Sequence, residues 1–387
     1  MKIIAFTILF LYSFVFNLPY NSNFEGDKKY IQDQNRDSSV TISISVVGDL
    51  MCHSPQFEYA RVDKDSFDFN PPFREVKDFL SASDFTFANL ETVTAGKESG
   101  GYTGYPRFNT PVNYLSALAN AGFDLLVTAN NHSLDRGETG ILKTLEGITQ
   151  NKINYVGTFK SQMDRDSIRI FDVKGINISV LAYSYGTNGN PVPKGKSYLI
   201  NLIDLNLIKK DIQAARAKGA ELVIVNYHFG EEYRREPVLF QKEVVDSTIS
   251  FGADLIIGGH PHVLQTVKFY KTKNGILDSG FVAYSMGNFF SNQRKRYTDA
   301  GMILTIKVKK DFISSKISVD EVNFLPTWVY KGYISGKREY LILPANTDSL
   351  DNSFLSNIDI VKMDQAYSDT REIVTKYSNS VRLKELK

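Results

Sequence analysis

The pentapeptide Gly258-Gly259-His260-Pro261-His262 is the stretch of this sequence whose residue types and spacing best suit chemistry. It follows an apolar run over 253–257 that predicts a short buried strand. The glycines permit a tight backbone path and the proline stiffens the step between the histidines, so both imidazoles can face one point. Histidine is the commonest metal ligand among side chains. Taken alone, the pentapeptide fits a metal site and a turn with two surface histidines equally well.

All five histidines of the chain fall in or beside polar clusters at predicted strand ends. They are His53, His132, His228, His260 and His262. Surface histidines would be scattered, so a common site explains this placement better. Asp49, Glu91 and Asn131 stand at equivalent strand ends and add carboxylate and amide oxygens. This mixture suits a first-row divalent metal better than calcium, and we expect Mn, Fe or Zn, as one ion or two.

A recurring order of helix, glycine, apolar strand and polar cluster predicts how these side chains are positioned. The helices are predicted over 114–121, 207–218 and 240–250, and the strands that follow them over 124–128, 221–226 and 253–257. The glycine after each helix suits the left-handed cap position. This alternation predicts an α/β fold, in which ligand sites gather outside the carboxyl ends of the strands. The polar clusters therefore converge on one edge.

The remaining segments predict one body with a helical tail, because no linker rich in Gly, Pro or Ser divides them. Further strands are predicted over 85–91, in two parts over 168–183, and over 281–284, 301–309, 317–324, 327–333 and 340–343. A helix is predicted over 73–80, and a helix or a pair of helices over 358–386. We divide the chain into a signal peptide or N-terminal anchor (1–22), a polar linker (23–39), the main domain (40–345) and a C-terminal helical tail (346–387).

The N-terminus predicts export. Lys2 precedes an almost unbroken apolar run over 3–16, which has the length of a signal-peptide core and is short for a membrane span. No clear cleavage site follows, so an uncleaved anchor is the alternative. We expect a periplasmic, cell-surface or membrane-anchored protein that touches the membrane only through this segment. The net charge of +2 gives no argument for nucleic acid, and the single Cys52 excludes an intramolecular disulfide.

Six ordered motifs between residues 41 and 298 resemble those of the bacterial CapA family of poly-gamma-glutamate capsule synthesis proteins, which is itself similar to the calcineurin-like metallophosphoesterases. They are Gly48-Asp49-Leu50-Met51, Asn89-Leu90-Glu91, Asn130 to Gly137, His228 to Glu232, Gly258 to His262, and Ser285 to Phe289. The resemblance implies a four-layer α/β/β/α sandwich of the metallo-dependent phosphatase type for residues 40–345. It also implies a role in capsule or exopolymer handling at the cell envelope.

The resemblance also implies a role for each motif residue. One ion would be held by Asp49 and His262, Glu91 would bridge, and Asn131, His228 and His260 would hold a second ion. His132 matches the acid that protonates the leaving group, and Asp135 can orient it.

The chain departs from the phosphoesterase pattern at Met51, where that family carries a metal-binding histidine. A thioether is a poor partner for a hard divalent ion. His53 can substitute only if the loop turns, so a single ion at Asn131, His228 and His260 is the alternative to two. Asp49 also has a simpler interpretation, as the cap of a following helix.

Four further residues are candidates for binding substrate: Asn130, Arg234, Arg235 and Asn288. Arg234 and Arg235 closely follow a site motif and suit an anionic polymer or phosphate, although such runs are usually surface charge. Asn288 can line the pocket or only turn the chain.

Three functions are consistent with these residues. The first is a CapA-like envelope protein of capsule or exopolymer biosynthesis, acting as a metal-dependent hydrolase on an acidic polymer beside a membrane-bound synthesis complex. The second is an exported metal-dependent phosphoesterase acting on small phosphorylated substrates. The third, favoured by Met51, is a non-enzymatic, metal-stabilised subunit of a polymer export complex.

Overall fold

The computed structural model describes residues 38–273, 276–277, 279–345, 353–378 and 380–384. The predicted signal peptide or anchor over 1–22, and the predicted linker except for its last two residues, lie outside the described residues. Within the described ranges, every helix is too short or too polar to cross a membrane. The predicted division of the chain and its export therefore stay predictions.

The described part of the chain forms two large sheets, a small hairpin and eight α-helices. The strands are β1 (Ser39–Leu50), β2 (Arg61–Asp63), β3 (Ser66–Phe67), β4 (Phe85–Leu90), β5 (Leu125–Val127), β6 (Asn154–Val156), β7 (Phe171–Val173), β8 (Ile176–Ser184), β9 (Leu222–His228), β10 (Leu255–Gly259), β11 (Val267–Lys271), β12 (Ser279–Ala283), β13 (Asn288–Phe290), β14 (Ala300–Asp311), β15 (Ile317–Ile334), β16 (Lys337–Pro344) and β17 (Val381–Leu383). The helices are α1 (Ser54–Ala60), α2 (Lys77–Ser81), α3 (Asn113–Ala121), α4 (Gly137–Gln150), α5 (Gln162–Asp166), α6 (Leu205–Ala217), α7 (Leu239–Phe251) and α8 (Asn357–Thr375), and two short 3₁₀ turns occupy Pro71–Phe73 and Ser197–Leu199.

Each large sheet combines parallel and antiparallel strands. The order in the first is β16-β15-β14-β1-β4-β5-β6, with β13 beside β1 and β17 beside β15; in the second it is β11-β12-β10-β9-β8-β7. Strands β1, β4, β5 and β6 run parallel to one another, as do β8, β9, β10 and β12. The carboxyl ends of the parallel strands within each sheet therefore lie at a single edge.

The two sheets pack face to face, because alternate side chains of their strands enter different cores. Ile44 of β1 and Ile224 of β9 belong to one shared core between the sheets. Their outward neighbours differ: Val47 packs in a core with Leu118 of α3, and Val223 in a core with Ile212 of α6. Burial on both faces explains the nearly continuous apolar runs of these strands. The predicted four-layer α/β/β/α sandwich is confirmed.

Two element predictions near the C-terminus were wrong. The strands predicted over 317–324 and 327–333 are one strand, β15, because the strand continues through Pro326, whose carbonyl accepts a hydrogen bond from the Ala345 N–H at 2.8 Å. The helix predicted over 358–386 ends at Thr375, and Val381–Leu383 pairs with β15 as a parallel strand. Helix α8 packs on the first sheet through a core that contains Trp328 and Met363.

Candidate metal centre

Six side chains from distant parts of the chain meet where the parallel strands end. They are Asp49, Glu91, Asn131, His228, His260 and His262, and each is at most 4 % exposed. Ligand atoms of Asp49, Glu91 and His228 all lie within 4.8 Å of one another, as do those of Glu91, His260 and His262. Asn131 joins through its Oδ1, which is 2.9 Å from His228 Nε2. Glu91 belongs to both groups, which is the arrangement required of a bridging ligand.

The backbone before the histidine pair allows this close packing. A Cβ at Gly259 would lie 2.7 Å from Asp49 Oδ1, so only glycine lets β10 approach the carboxylate without displacing it. His260 and His262 have φ angles of 94° and 56°, in a backbone region that residues other than glycine rarely adopt. Such strain persists where the surrounding structure holds it, and it clusters at functional sites.

Glu91 is buried without the partners that a carboxylate needs. Neither of its oxygens has a hydrogen-bond partner in the described structure, and the same holds for His260 Nδ1. The nearest imidazole nitrogens are His228 Nε2 at 3.4 Å and His262 Nε2 at 3.8 Å from Glu91 Oε1. An unsatisfied buried polar group costs about 1–3 kcal/mol. A divalent cation within this ring of donors would remove that cost, so the residues present fit a metal ion.

Burial and mutual charge displace the pKa values of the cluster in different directions. Burial, with the Asp49 charge nearby, raises the pKa of Glu91 to about 8. Burial would also raise the pKa of Asp49, but the hydrogen bond with His262 and the neighbouring imidazoles hold it at about 2. Burial lowers the pKa of His228 to about 3 and that of His260 to about 2. Both rings are therefore neutral near pH 7 and have lone pairs available for a metal ion.

Asn288 fixes the orientation of His262. The Asn288 amide donates to the Thr298 carbonyl at 2.8 Å and to Gln293 Oε1 at 3.0 Å, so its Oδ1 is left to accept from His262 Nδ1 at 3.1 Å. Asp49 Oδ2 lies 3.2 Å from the same nitrogen. With Nδ1 held by these two oxygens, the ring turns Nε2 towards Glu91. Burial lowers the pKa of His262, but the Glu91 and Asp49 carboxylates outweigh burial and raise it to about 9, so a metal ion would have to displace the Nε2 proton.

An Asn288→Ala variant is expected to bind divalent metal about 10- to 100-fold more weakly, the usual cost of losing a residue that orients a ligand. Titration of the chelator-treated protein with Mn²⁺ or Zn²⁺ measures the change. Asn120, whose amide makes an exposed contact with Asn70, provides the control variant Asn120→Ala. Equal affinities in the two variants would show that Asn288 does not position His262.

His132 forms a pair with Asp135 at the rim of the centre. His132 Nδ1 lies 2.8 Å from Asp135 Oδ2, which also accepts the Phe108 N–H at 2.6 Å. The Phe108 ring contacts the imidazole edge-on, with centroids 4.6 Å apart. Asn188 Nδ2 is 3.4 Å from His132 Nε2. The carboxylate therefore fixes the ring and its tautomer, and Nε2 is the nitrogen left to exchange a proton.

Asn89 and Tyr185 lie beside the centre, although the sequence did not identify either of them as a functional residue. Asn89 donates to Asp49 Oδ1 at 2.8 Å and lies 3.2 Å from His228 Nδ1. An amide inside an otherwise apolar buried strand was the available signal. Tyr185, which is 41 % exposed, places its ring centroid 4.5 Å from that of His260. It lies in a loop without periodicity, so no sequence pattern marks it.

Met51 and His53 do not complete the ligand set. Met51 is buried, and His53 belongs to neither group of ligand atoms among the described residues. His53 Nδ1 instead lies 3.2 Å from Gln56 Oε1 and accepts the Asn292 N–H at 3.4 Å. His53 is also the N-cap of α1, so the interpretation of Asp49 as a helix cap was wrong.

The other three substrate-binding candidates are engaged in contacts within the protein. The Asn130 amide donates to the Leu90 carbonyl at 2.7 Å and to Asn89 Oδ1 at 3.1 Å. Arg234 is exposed and forms an ion pair with Glu231 at 2.8 Å. Arg235 donates to the Asp369 carbonyl of α8 at 3.0 Å. These contacts describe an anchored loop and a docked C-terminal helix.

The described fold and cluster define a class: a four-layer α/β/β/α protein with buried carboxylate, amide and imidazole groups at the carboxyl ends of its strands. The chain belongs to a particular family within it, Bacterial capsule synthesis protein PGA_cap, whose family model matches residues 43–293. This membership confirms the resemblance seen in the six motifs.

Named relatives agree with the family. The chain is 29% identical over 258 residues to the Capsule biosynthesis protein CapA of Bacillus anthracis, covering 65% of this chain and 60% of the relative's length. It is 27% identical over 310 residues to the PGA biosynthesis protein CapA of Bacillus subtilis (strain 168), covering 80% and 77%.

Two solved structures are similar at lower identity. The Haemophilus influenzae NAD nucleotidase NadN has a TM-score of 0.46 at 14% identity, over 90% of this chain and 58% of that one. The calcineurin-like phosphoesterase YfkN of Bacillus subtilis has a TM-score of 0.43 at 15% identity, over 86% and 98%. Similarity at this level transfers no chemistry to the present chain.

Proposed function

We propose that this protein is a metal-dependent hydrolase that acts in capsule or exopolymer biosynthesis at the cell envelope, on an acidic polymer of the poly-gamma-glutamate type. Family membership and the name of the Bacillus anthracis relative support the capsule role, and the name of the Bacillus subtilis relative supports the polymer class. The predicted N-terminal signal or anchor supports an envelope location, with a membrane-bound synthesis complex as the partner.

The observation that carries the metal dependence in this proposal is the environment of Glu91. Its carboxylate has no hydrogen-bond donor among the described residues, yet it stands between His228 and His262 in a buried cluster. A purely structural polar network would have satisfied it, since buried polar groups are nearly always hydrogen-bonded. The cluster is therefore built around a ligand, and its donor set suits Mn, Fe or Zn.

The chain's own residues divide the work of hydrolysis. A bound divalent ion, one or two, supplies a water of lowered pKa and polarises a phosphoryl or carbonyl oxygen. Asp49, Glu91, Asn131, His228, His260 and His262 would hold it. His132 donates a proton from Nε2 to the departing group, and Asp135 keeps its Nδ1 protonated and its ring in place.

Metal analysis of His228→Ala and His260→Ala proteins tests the proposal. Each variant removes a ligand from only one of the two groups, so each is expected to lose about half of the metal of a two-ion centre, and nearly all of it if a single ion is bound. The measurement is elemental analysis of protein purified without added metal, followed by hydrolysis assays after reconstitution.

His53→Ala is the matched control, since it removes an imidazole that lies outside both groups. It is expected to keep the wild-type metal content. Unchanged metal in all three variants would refute the metal centre. Normal surface polymer in a deletion strain complemented with His228→Ala would refute the role of the metal in capsule formation.

A specific observation favours each alternative. The ordered His132–Asp135 pair suits an exported phosphoesterase acting on small phosphorylated substrates, and metal-dependent turnover of an aryl phosphate without any effect on polymer would support that function. Met51, which stands where the phosphoesterase pattern carries a histidine, suits a non-enzymatic subunit of a polymer export complex. Normal polymer output from a His132→Ala strain would support that third function.

A further inference from the structure

A groove of about 680 Å³ lies beside the His132–Asp135 pair, outside the metal centre. The segment Ser99 to Arg107 forms most of its wall, and Ser54 and Arg136 complete it. Arg107 and Arg136 are the charged residues of this lining, which contains no aspartate or glutamate among the described residues. The volume falls in the range of about 300–1,000 Å³ that is usual for ligand clefts.

Neutral groups accept all the hydrogen bonds that the described structure gives these two arginines. Arg107 donates from Nε and Nη2 to the Asp135 carbonyl at 3.2 and 2.8 Å. Arg136 donates to the same carbonyl at 3.0 Å, to the Ser99 carbonyl at 3.0 Å and to Thr103 Oγ1 at 2.6 Å. The charge of the Asp135 carboxylate acts on Arg136, but its Oδ2 is occupied by His132 and the Phe108 N–H. Among the described residues, neither arginine has a carboxylate within ion-pair distance.

A second groove of about 520 Å³ differs from the first because its lining holds charges of both signs. Arg61, Lys337 and Arg338 share that lining with Glu58, Asp68 and Glu339. Arg61 pairs with Glu58 at 2.9 Å, and Glu339 pairs with Arg74 at 2.7 Å. The charges of that groove are thus largely neutralised, whereas those of Arg107 and Arg136 are not.

The groove that holds Arg107 and Arg136 is connected to His132 through Asp135 and Phe108. Asp135 presents its carbonyl to both arginines and its carboxylate to His132. Phe108 follows Arg107 in the chain and packs against the His132 ring. An anion bound to the arginines would therefore be connected to His132, the proposed proton donor, through Asp135 and Phe108.

We propose that Arg107 and Arg136 form an anion-binding subsite that holds the carboxylates of an extended acidic chain next to the metal centre. A guanidinium carries five N–H donors in a planar fork that matches a carboxylate. Arg107 spends only Nε and Nη2 on the protein, which leaves Nη1 for a ligand in the described structure. The choice of a polycarboxylate over a single phosphate rests on the proposed function; the subsite itself does not.

Fluorescence anisotropy with a fluorescein-labelled γ-linked glutamate decamer tests the subsite on the full-length protein. Chelator-treated protein is used, so that the metal centre and the subsite are tested separately. Arg107→Gln and Arg136→Gln are each expected to weaken binding roughly tenfold or more, and the double variant further, since each removes a charge-assisted hydrogen-bonding group. Added salt is expected to weaken wild-type binding.

Arg371→Gln is the matched control, because Arg371 is exposed on α8, distant in sequence from both groove segments. It is expected to bind as the wild type does. Arg107→Lys with Arg136→Lys keeps the charges but not the forks, and is expected to bind with intermediate affinity. Thermal unfolding midpoints identify any variant that fails to fold.

Three results would overturn the proposal. The first is a wild-type protein that does not bind the decamer, and the second is a folded double glutamine variant that binds it as tightly as the wild type. The third is displacement of the decamer by an equal concentration of inorganic phosphate, which would assign the arginines to a single phosphoryl group. A protein that binds no metal in the elemental analysis, by contrast, would refute the metal-dependent hydrolase and leave the proposed anion-binding subsite unaffected.

Discussion

Replacement of Glu91 by glutamine is expected to remove more bound metal than replacement of either His228 or His260. Glu91 belongs to both groups of ligand atoms, whereas each histidine belongs to one. An amide retains the size of the side chain but loses the charge that two cations would share. We expect metal affinity to fall by more than about 100-fold, beyond the 10- to 100-fold cost of losing a supporting residue.

Elemental analysis and competition with a chromophoric chelator measure this effect. Glu243→Gln is the control, because Glu243 is an exposed acid on α7, outside the site motifs. Its loss leaves the ligand groups intact and should leave metal content unchanged. A Glu91→Gln protein that still binds two ions would mean that the carboxylate is not shared between them.

Replacement of His132 by glutamine is expected to reduce hydrolysis about 10²- to 10⁴-fold, the usual contribution of a general acid, while metal content is retained. The imidazole is fixed by Asp135 and Phe108 and is not a member of either ligand group. Because the proton goes to the departing group, the loss depends on how much that group needs one. The full effect is therefore expected for an alkyl phosphate and little effect for 4-nitrophenyl phosphate.

Steady-state kinetics on the two substrates, with metal content measured in parallel, check this expectation. Asp135→Asn is expected to lower kcat in the same pattern but by less, because the ring remains and only its orientation is lost. An equal loss on both substrates would assign His132 to substrate or metal binding instead of proton transfer.

The sequence was enough to predict which candidate ligands would cluster, because buried parallel strands appear in it as short apolar runs. Runs such as 253–257 are apolar on both faces, and the polar residues that follow them can only be at a strand end. Five such ends, each with one or two candidate ligands, were enough to predict that Asp49, Glu91 and His228 would meet. The structure brings them together at one edge of the strands.

Other features depend on long-range contacts that no local pattern encodes. The role of Asn89 follows from a neighbour 40 residues away in sequence, and that of Tyr185 from a loop that crosses His260. The helix prediction over 358–386 failed at its C-terminal end because Val381–Leu383 forms a strand that pairs in parallel with β15. Arg296 forms an ion pair with Asp369 of α8 at 2.7 Å. Neither segment contains a sequence pattern that predicts this ion pair.

The register of β1 has a consequence for biosynthesis. Asp49 pairs in register with Asn288 of β13, and its carboxylate contacts His262, 213 residues further along the chain. A nascent polypeptide that has emerged only as far as His228 carries four of the six candidate ligands, on strands that still lack some of their neighbours. Contacts between such distant segments form late, after the intervening loops have closed. Metal binding at this centre would therefore follow the synthesis of β13, and a premature stop before β13 would leave a product without the Asn288 that orients His262.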